Sequence, residues 1–245
     1  MKKFLFGFLA IVMITSLCYG QNNDPSNPDN EFDYVGKIHN EALLEIISST
    51  EAKNMFARDS KNYCLNLLSE NKIESRGYIL AIEDENVSKK LGEFNNNVTM
   101  YTQEQIQSWY NEKYINENIK TYLITLSLIT EKYYKNFNYS AFKSDIIKLE
   151  EQAYSYKNDD KVFILSTASI ARHTVSFWAN NSSNLGRYTG TPRGLALADL
   201  GGAVAGGIRT YVLCFFTGPV GWGAWAGSII GTGLGASALY VITHH

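Results

Sequence analysis

The chain has 245 residues, of which 45% are hydrophobic and 19% are charged, and its formal net charge at pH 7 is −2. This length suits one or two domains with a buried core. Because the chain is acidic and has no basic stripe interleaved with aromatic residues, it lacks the charge that supplies most nucleic-acid affinity. We therefore expect no nucleic-acid partner.

Residues 1–20 have the pattern of a secretory signal peptide. Two lysines precede an apolar run over 4–17, and small residues flank a cleavage point after Gly20. Lipidation of Cys18 is an alternative, but Leu17 precedes it where lipid-anchored bacterial precursors usually carry a smaller residue. An uncleaved membrane anchor is a second alternative, although the apolar run is short for a transmembrane span. We expect an exported, membrane-associated protein of the periplasm, outer envelope or extracellular medium.

A polar leader precedes the first predicted helix. Residues 21–33 contain two prolines and polar side chains that cannot build a core, so a disordered leader is predicted. Asp33 can cap a helix over residues 34–47. The apolar face of this helix comprises Val35, Ile38, Ala42 and Ile46.

The next segment is less regular. Ser48 with Glu51 forms a capping box for a second helix that ends near Glu70. The apolar run within residues 73–97 fits either a short strand or a buried helical turn.

Thr102 with Gln105 forms another capping box, which predicts one long helix over residues 103–136, roughly 50 Å in length. Its apolar residues alternate steps of four and three, which favours packing against neighbouring helices. These residues are Ile115, Ile119, Tyr122, Leu126, Ile129 and Tyr133.

Two more helices complete a predicted helical bundle over residues 34–180. One covers 140–156, and the next starts at an Asp159 or Asp160 cap and runs to Trp178. The inward residues of the first are Phe142, Ile146, Leu149 and Ala153. A linker loop over 181–193 follows.

Residues 194–245 are predicted to form a glycine-rich apolar helical hairpin, so the fold class is all-α. Its arms cover 195–216 and 220–242, joined by a turn at Gly218 and Pro219. Small residues four positions apart form a flat groove that suits close helix packing in lipid. The glycines concerned are Gly223, Gly227, Gly231 and Gly235 in the second arm and Gly201, Gly202, Gly206 and Gly207 in the first.

Each arm is long enough to cross a bilayer, but the first contains Asp199 and Arg209. One interpretation makes these charges the polar lining of an oligomeric pore. The preferred interpretation places Asp199 at the membrane interface, while Arg209 extends toward water or stays with the bundle.

Catalytic and metal-binding patterns are not evident, so we predict a non-enzymatic protein without cofactor or metal. His39 and His173 lack metal-ligand spacing and fit surface or capped core positions. The acidic pairs at 150–151 and 159–160 fit solvated helix faces and caps.

The mature chain keeps two cysteines, Cys64 and Cys214. A disulfide between them would fasten the apolar tail to the bundle, since exported chains often oxidise their thiols. The preferred alternative is a pair of buried free thiols.

Two stretches resemble known sequences. DYVGKIHNEAL after the leader, together with DLGGAVAGG and GWGAWAGSIIGTGLGA in the tail, resembles uncharacterised exported proteins of Bacteroidetes-type bacteria. The tail alone is similar to the glycine-zipper segments of bacteriocins and contact-dependent antibacterial proteins. That resemblance implies membrane insertion or self-assembly.

Two functions follow as hypotheses. In the first, the protein is a non-enzymatic envelope protein whose helical interaction domain binds an unknown protein, while the hairpin holds it at or in a membrane or packs inside the domain. In the second, the hairpin inserts into lipid and oligomerises through its glycine face, as in a bacteriocin-like or pore-forming protein.

Overall fold

We describe the protein from a computed structural model, which covers residues 24–48, 66, 69, 101–136, 138–181, 192–217 and 226–234. The helices are α1 (Asp33–Ser48), α2 (Gln103–Asn111), α3 (Glu117–Asn136), α4 (Tyr139–Ala153), α5 (Asn158–Asn181) and α6 (Pro192–Thr217). Residues 226–234 are also helical and are called the C-terminal segment. The described residues contain no strand, so this part of the chain is an all-α bundle, which confirms the predicted fold class.

Helix α5 lies at the centre of the bundle and contacts α1, α3, α4 and α6. Every residue from 162 to 178 is buried. Apolar and small side chains occur on all faces of this stretch, so neighbouring helices can approach from each side. One continuous apolar core joins α5 to side chains of the other named helices.

The described parts of the C-terminal arms belong to this core. Leu195 and Ile208 of α6, and Ile229 of the C-terminal segment, are 0% exposed and lie in the same apolar cluster as α5. These described parts therefore pack inside the bundle rather than beside it. Among the helices that the structure describes, none has the length and apolar character of a membrane span, so the expected transmembrane helix is not found there.

The single long helix predicted over 103–136 is wrong, because the chain turns between α2 and α3. Lys113 adopts a φ of 63° just after α2. The backbone N–H groups of Lys113 and Tyr114 donate to the carbonyls of Tyr110 and Trp109, which ends the helix in a left-handed turn.

Asn116 then starts α3. Its side-chain oxygen accepts the backbone N–H of Ile119 at 3.0 Å, the arrangement of a helix N-cap. The apolar repeat continues across the turn, since Ile115 and Ile119 are both buried. That continuity is why periodicity alone does not reveal the break.

The predicted disordered leader is ordered over the residues that the structure describes. Asn27, Asn30 and Phe32 are buried against the bundle. Further contacts fix the backbone, since Lys143 donates to the Asp24 carbonyl at 2.7 Å. The prediction failed because the leader's polar groups find partners inside the protein, which composition does not reveal.

Other boundaries agree with the sequence. The capping box of Thr102 and Gln105 is present at α2, and α1, α4 and α5 begin within a few residues of their predicted starts. The predicted inward residues of α4 are all buried: Phe142, Ile146, Leu149 and Ala153. The signal peptide, most of the second predicted helix and residues 73–97 lie outside the described residues.

Candidate functional site

Polar side chains lie on two sides of the buried helix α5. Arg172 and Thr174 are separated by about 200° around the helix axis, because successive residues turn by about 100°. Arg172 bonds to the leader, α1 and α4, whereas Thr174 bonds to α6. We call the first group the arginine cluster (Asn27, Asn30, Asp33, Glu150, Arg172). The second group, on the side of α5 that faces α6, contains the His–Asp pair (His39, Asp199).

The Arg172 side chain is 0% exposed and is the centre of the arginine cluster. Its Nε and Nη2 atoms donate to Glu150 Oε1 at 3.1 and 2.8 Å. Nη2 also donates to Asp33 Oδ1 at 2.6 Å, and Nη1 donates to the Pro25 carbonyl. A buried guanidinium needs such partners, because an unpaired charge in a protein interior is strongly destabilising.

Glu150 is 1% exposed, so the interpretation of residues 150–151 as a solvated face is wrong for this residue. Its carboxylate also accepts the Asn27 amide at 2.7 Å and the Asn30 amide at 2.6 Å. Asn30 donates further to the Leu165 carbonyl at 3.0 Å. The leader is therefore ordered because its amides satisfy the acid that neutralises Arg172.

Asp33 connects the arginine cluster to the start of α1. Burial opposes its ionisation, but the His173 hydrogen bond and the Arg172 guanidinium outweigh burial and hold the pKa of Asp33 below its ordinary value. Ser169 donates to the Asp33 carbonyl at 2.9 Å and accepts the Gly36 N–H at 3.0 Å. These bonds fix α1 on α5.

The His–Asp pair lies on the other side of α5. His39 and Asp199 are both 0% exposed, and Nε2 of the imidazole is 3.9 Å from Oδ1 of the carboxyl. The other carboxyl oxygen, Oδ2, accepts bonds from the Thr174 hydroxyl and, at 2.6 Å, from Trp178 Nε1. Asp199 thus lies inside the bundle, and its predicted places at a membrane interface or in a pore lining are both wrong for this fold.

A third polar group joins α3, α5 and α6. Asp160, 2% exposed, accepts Asn116 Nδ2 at 2.9 Å, Asn118 Nδ2 at 2.8 Å and the Tyr211 hydroxyl at 2.9 Å. Burial and the Asp160 carboxylate raise the pKa of Tyr211. The predicted solvated role of 159–160 is therefore wrong for Asp160.

An open depression of about 610 Å³ adjoins this third group. It is lined by Tyr110, Asn111, Lys113, Ile115, Asn116, Glu117 and Tyr211. The polar atoms at its base are bonded to one another, because Asn116 donates both to Asp160 and, at 2.8 Å, to Tyr211. Those hydrogen bonds connect three helices.

The described glycines of the tail face the protein interior. A Cβ on Gly206 would lie 1.9 Å from Thr232 Oγ1 and 2.7 Å from the Ser228 carbonyl, so α6 and the C-terminal segment approach closely there. A Cβ on Gly207 would lie 2.6 Å from the Phe163 ring. Gly201, Gly202, Gly227 and Gly231 are also buried.

Several predicted site residues lie outside the described part of the chain. These are Gly223, Gly235, the turn at Gly218 and Pro219, and Cys64, while Cys214 belongs to α6 without a described side chain. The hairpin turn and the disulfide stay predictions.

The arginine cluster and the His–Asp pair were not predicted as sites. One sequence signal was available, since Arg172 is the lone arginine or lysine from 162 to 186 and lies within an apolar stretch. Such a charge implies a buried acid, but periodicity could not identify Glu150 as its partner. The two sites lie within the bundle and bring side chains of different helices together.

No group of three or more His, Cys, Asp or Glu side chains within the described residues could hold a metal ion. Comparison of the whole chain with known proteins finds no matching family model, no similar curated protein and no similar solved structure.

Proposed function

We propose that this is a non-enzymatic, exported protein of the cell envelope whose helical bundle is an interaction domain for a protein partner. Export is supported by the signal-peptide pattern of residues 1–20. The observation that carries the rest of the proposal is the burial of α6 and the C-terminal segment around α5. The glycine-rich arms then serve to close the core, and the outer helices α2, α3 and α4 carry the surface available to a partner.

The glycines support this use of the arms. Close approach at Gly206 and Gly207 brings helices within the same chain together, and Gly227 and Gly231 are buried in it. The glycines of this face that the structure describes are buried, which supports packing within the chain rather than against lipid or a second copy.

Membrane activity is the second candidate, favoured by the burial of α6 on nearly every side. Positions 198–208 are all buried. If α6 left the bundle, it would expose apolar and small residues all round, which a lipid environment could accept better than water. This candidate requires the bundle to open first.

Vesicles separate the two candidates. The full mature chain would be mixed with dye-loaded vesicles of phosphatidylethanolamine and phosphatidylglycerol, and both dye release and co-flotation would be measured. If the arms close the core, we expect neither dye release nor flotation of the protein with the vesicles. Flotation without release would indicate a membrane anchor, and release by the folded protein would establish the second candidate. A chain ending at Pro192 is a poor control, because it removes helices that cover α5.

A variant of the full chain gives a sharper comparison. Gly227→Leu with Gly231→Leu inserts bulk at two buried positions. If the arms close the core, the double variant should lose at least about 2 kcal/mol of unfolding free energy in urea, because overpacking costs about 1–3 kcal/mol per site. Unchanged stability with a loss of dye release would instead favour membrane packing.

A further inference from the structure

His39 and Asp199 carry buried polar atoms that lack a hydrogen-bond partner within the described residues, namely His39 Nε2 and Asp199 Oδ1. The two atoms face each other at 3.9 Å and join α1 to α6. Gly233 of the C-terminal segment covers the pair, since a Cβ there would lie 3.0 Å from His39 Nε2 and 3.3 Å from the Asp199 carbonyl oxygen. Three helical elements therefore meet at the pair.

Neighbouring hydrogen bonds determine where protons are placed. Asp199 Oδ2 accepts two donors, so a proton on this carboxyl belongs on Oδ1. Asn40 donates its amide N–H to the His173 carbonyl at 2.7 Å, which directs its Oδ1 toward His39 Nδ1 at 3.4 Å. Nδ1 then carries the ring proton, and Nε2 presents a lone pair to the carboxyl.

Few titratable groups face the His–Asp pair. From α5 the near one is His173, whose interaction with His39 contributes to lowering the pKa of His39. The C-terminal segment, residues 226–234, contains no titratable side chain. On α1, Lys37 and Glu41 pair with each other at 4.0 Å, with side chains 71% and 60% exposed, and so stay in solvent.

Burial favours the uncharged form of both members of the pair. It lowers the pKa of His39 to about 4 and raises the pKa of Asp199 to about 8. These directions agree with the proton positions that the hydrogen bonds require.

We propose that folding transfers one proton from His39 to Asp199, and that the neutral pair so formed is a latch holding α6 and the C-terminal segment on α1. In the unfolded chain near pH 5, the imidazole is protonated and the carboxyl is ionised. On folding, the Nε2–H bond breaks and its electron pair stays on nitrogen, while an O–H bond forms at Oδ1 by exchange through water. The number of bound protons does not change.

The latch weakens in mild alkali. Above about pH 6.5 the unfolded imidazole is already neutral, so folding must take up one proton from solvent for Asp199. Because the pKa of Asp199 is raised to about 8, stability falls as the pH rises from 6.5 to 8. The unfolding equilibrium constant grows by roughly 8-fold, since the unfolded imidazole is still half protonated at pH 6.5 and Asp199 is only half ionised at pH 8. Between about pH 4 and 6.5, His39 and Asp199 change the folding stability with pH in opposite directions, so their effects cancel.

The test is urea unfolding of the full mature chain and of Asp199→Asn between pH 4.5 and 8.5. The amide of the variant places a fixed N–H opposite His39 Nε2 and still accepts from Thr174 and Trp178. Wild type should follow the roughly 8-fold change above, whereas the variant should lose no stability from pH 6.5 to 8. Below pH 6.5 the variant alone should lose stability, by roughly 40-fold toward pH 4.5, because His39 must still be neutral to fold.

The matched control is Asp160→Asn, which changes another buried acid whose neighbours donate to it. That variant should lose stability and keep the wild-type pH slope above 6.5. A wild-type chain with no change from pH 6.5 to 8, or the same change in Asp199→Asn, would overturn the proposal. If Asp199→Asn does not fold, nitrogen NMR of His39 in wild type at pH 5.5 decides: a neutral Nδ1–H ring supports the latch, and an imidazolium refutes it.

Discussion

Replacing Arg172 by Met tests whether the arginine cluster holds the bundle together. Met is unbranched like the aliphatic part of Arg but removes the guanidinium and the charge that Glu150, 1% exposed, and Asp33 share. Breaking one partner of a buried ion pair costs about 3–5 kcal/mol, because the other charge is left unneutralised. Since domains are stable by about 5–15 kcal/mol, we expect Arg172→Met to lose a large share of its folding free energy.

A double-mutant cycle separates the charge from the packing. Glu150→Gln should cost about 1–3 kcal/mol, because Arg172 keeps Asp33 while one hydrogen bond becomes unfavourable. Combined with Arg172→Met, it should cost less than the sum of the two single changes by at least about 1 kcal/mol. The assay is urea unfolding at pH 7 followed by far-UV circular dichroism.

The surface pair of Lys132 and Asp145 is the control. Its charged atoms are 2.8 Å apart, but the Lys132 side chain is 60% exposed, so Lys132→Met should cost under about 1 kcal/mol. The leader gives a second readout, because amide hydrogen exchange over residues 24–32 should accelerate in Arg172→Met and not in Lys132→Met. A loss under about 1 kcal/mol in Arg172→Met, or strictly additive single changes, would refute the role assigned to the cluster.

Three further substitutions test the helix contacts by the same urea assay. Gly36→Ala should cost about 1–3 kcal/mol of unfolding free energy despite the better helix propensity of Ala, because its Cβ would lie 2.6 Å from the Ser169 carbonyl. A gain in stability would contradict this close approach of α1 and α5. Asn116→Ala should cost at least about 2 kcal/mol, because it removes the cap of α3 together with the hydrogen bonds to Asp160 and Tyr211. Gln107→Ala, at an exposed position outside any cap, should cost almost nothing. Gly206→Ala should destabilise the fold. Adding Thr232→Ala should restore only part of the lost stability, because the Ser228 carbonyl still lies 2.7 Å from the new Cβ. Full recovery would show that the Thr232 side chain alone clashes with that Cβ.

Local signals predicted much of the fold, whereas long-range partners did not follow from them. Apolar periodicity identified α4, and the Thr102 capping box marked the start of α2, because both depend on residues a few positions apart. The turn at Lys113 escaped prediction, since the residue is not glycine and the apolar repeat continues across it. Glu150 and Glu151 look alike in sequence, and only the position of Arg172 in three dimensions makes one of them a core residue.

The ordered leader has a consequence for the order in which the chain folds. Asn27 bonds to Glu150 across 123 positions, and Arg172 bonds to Asp33 across 139. Contacts this distant along the chain slow folding, because a long loop must close before they form. The leader therefore lacks these partners until α4 and α5 have been synthesised. For a protein exported as we propose, such a delay would keep the growing chain loose enough to be threaded across a membrane.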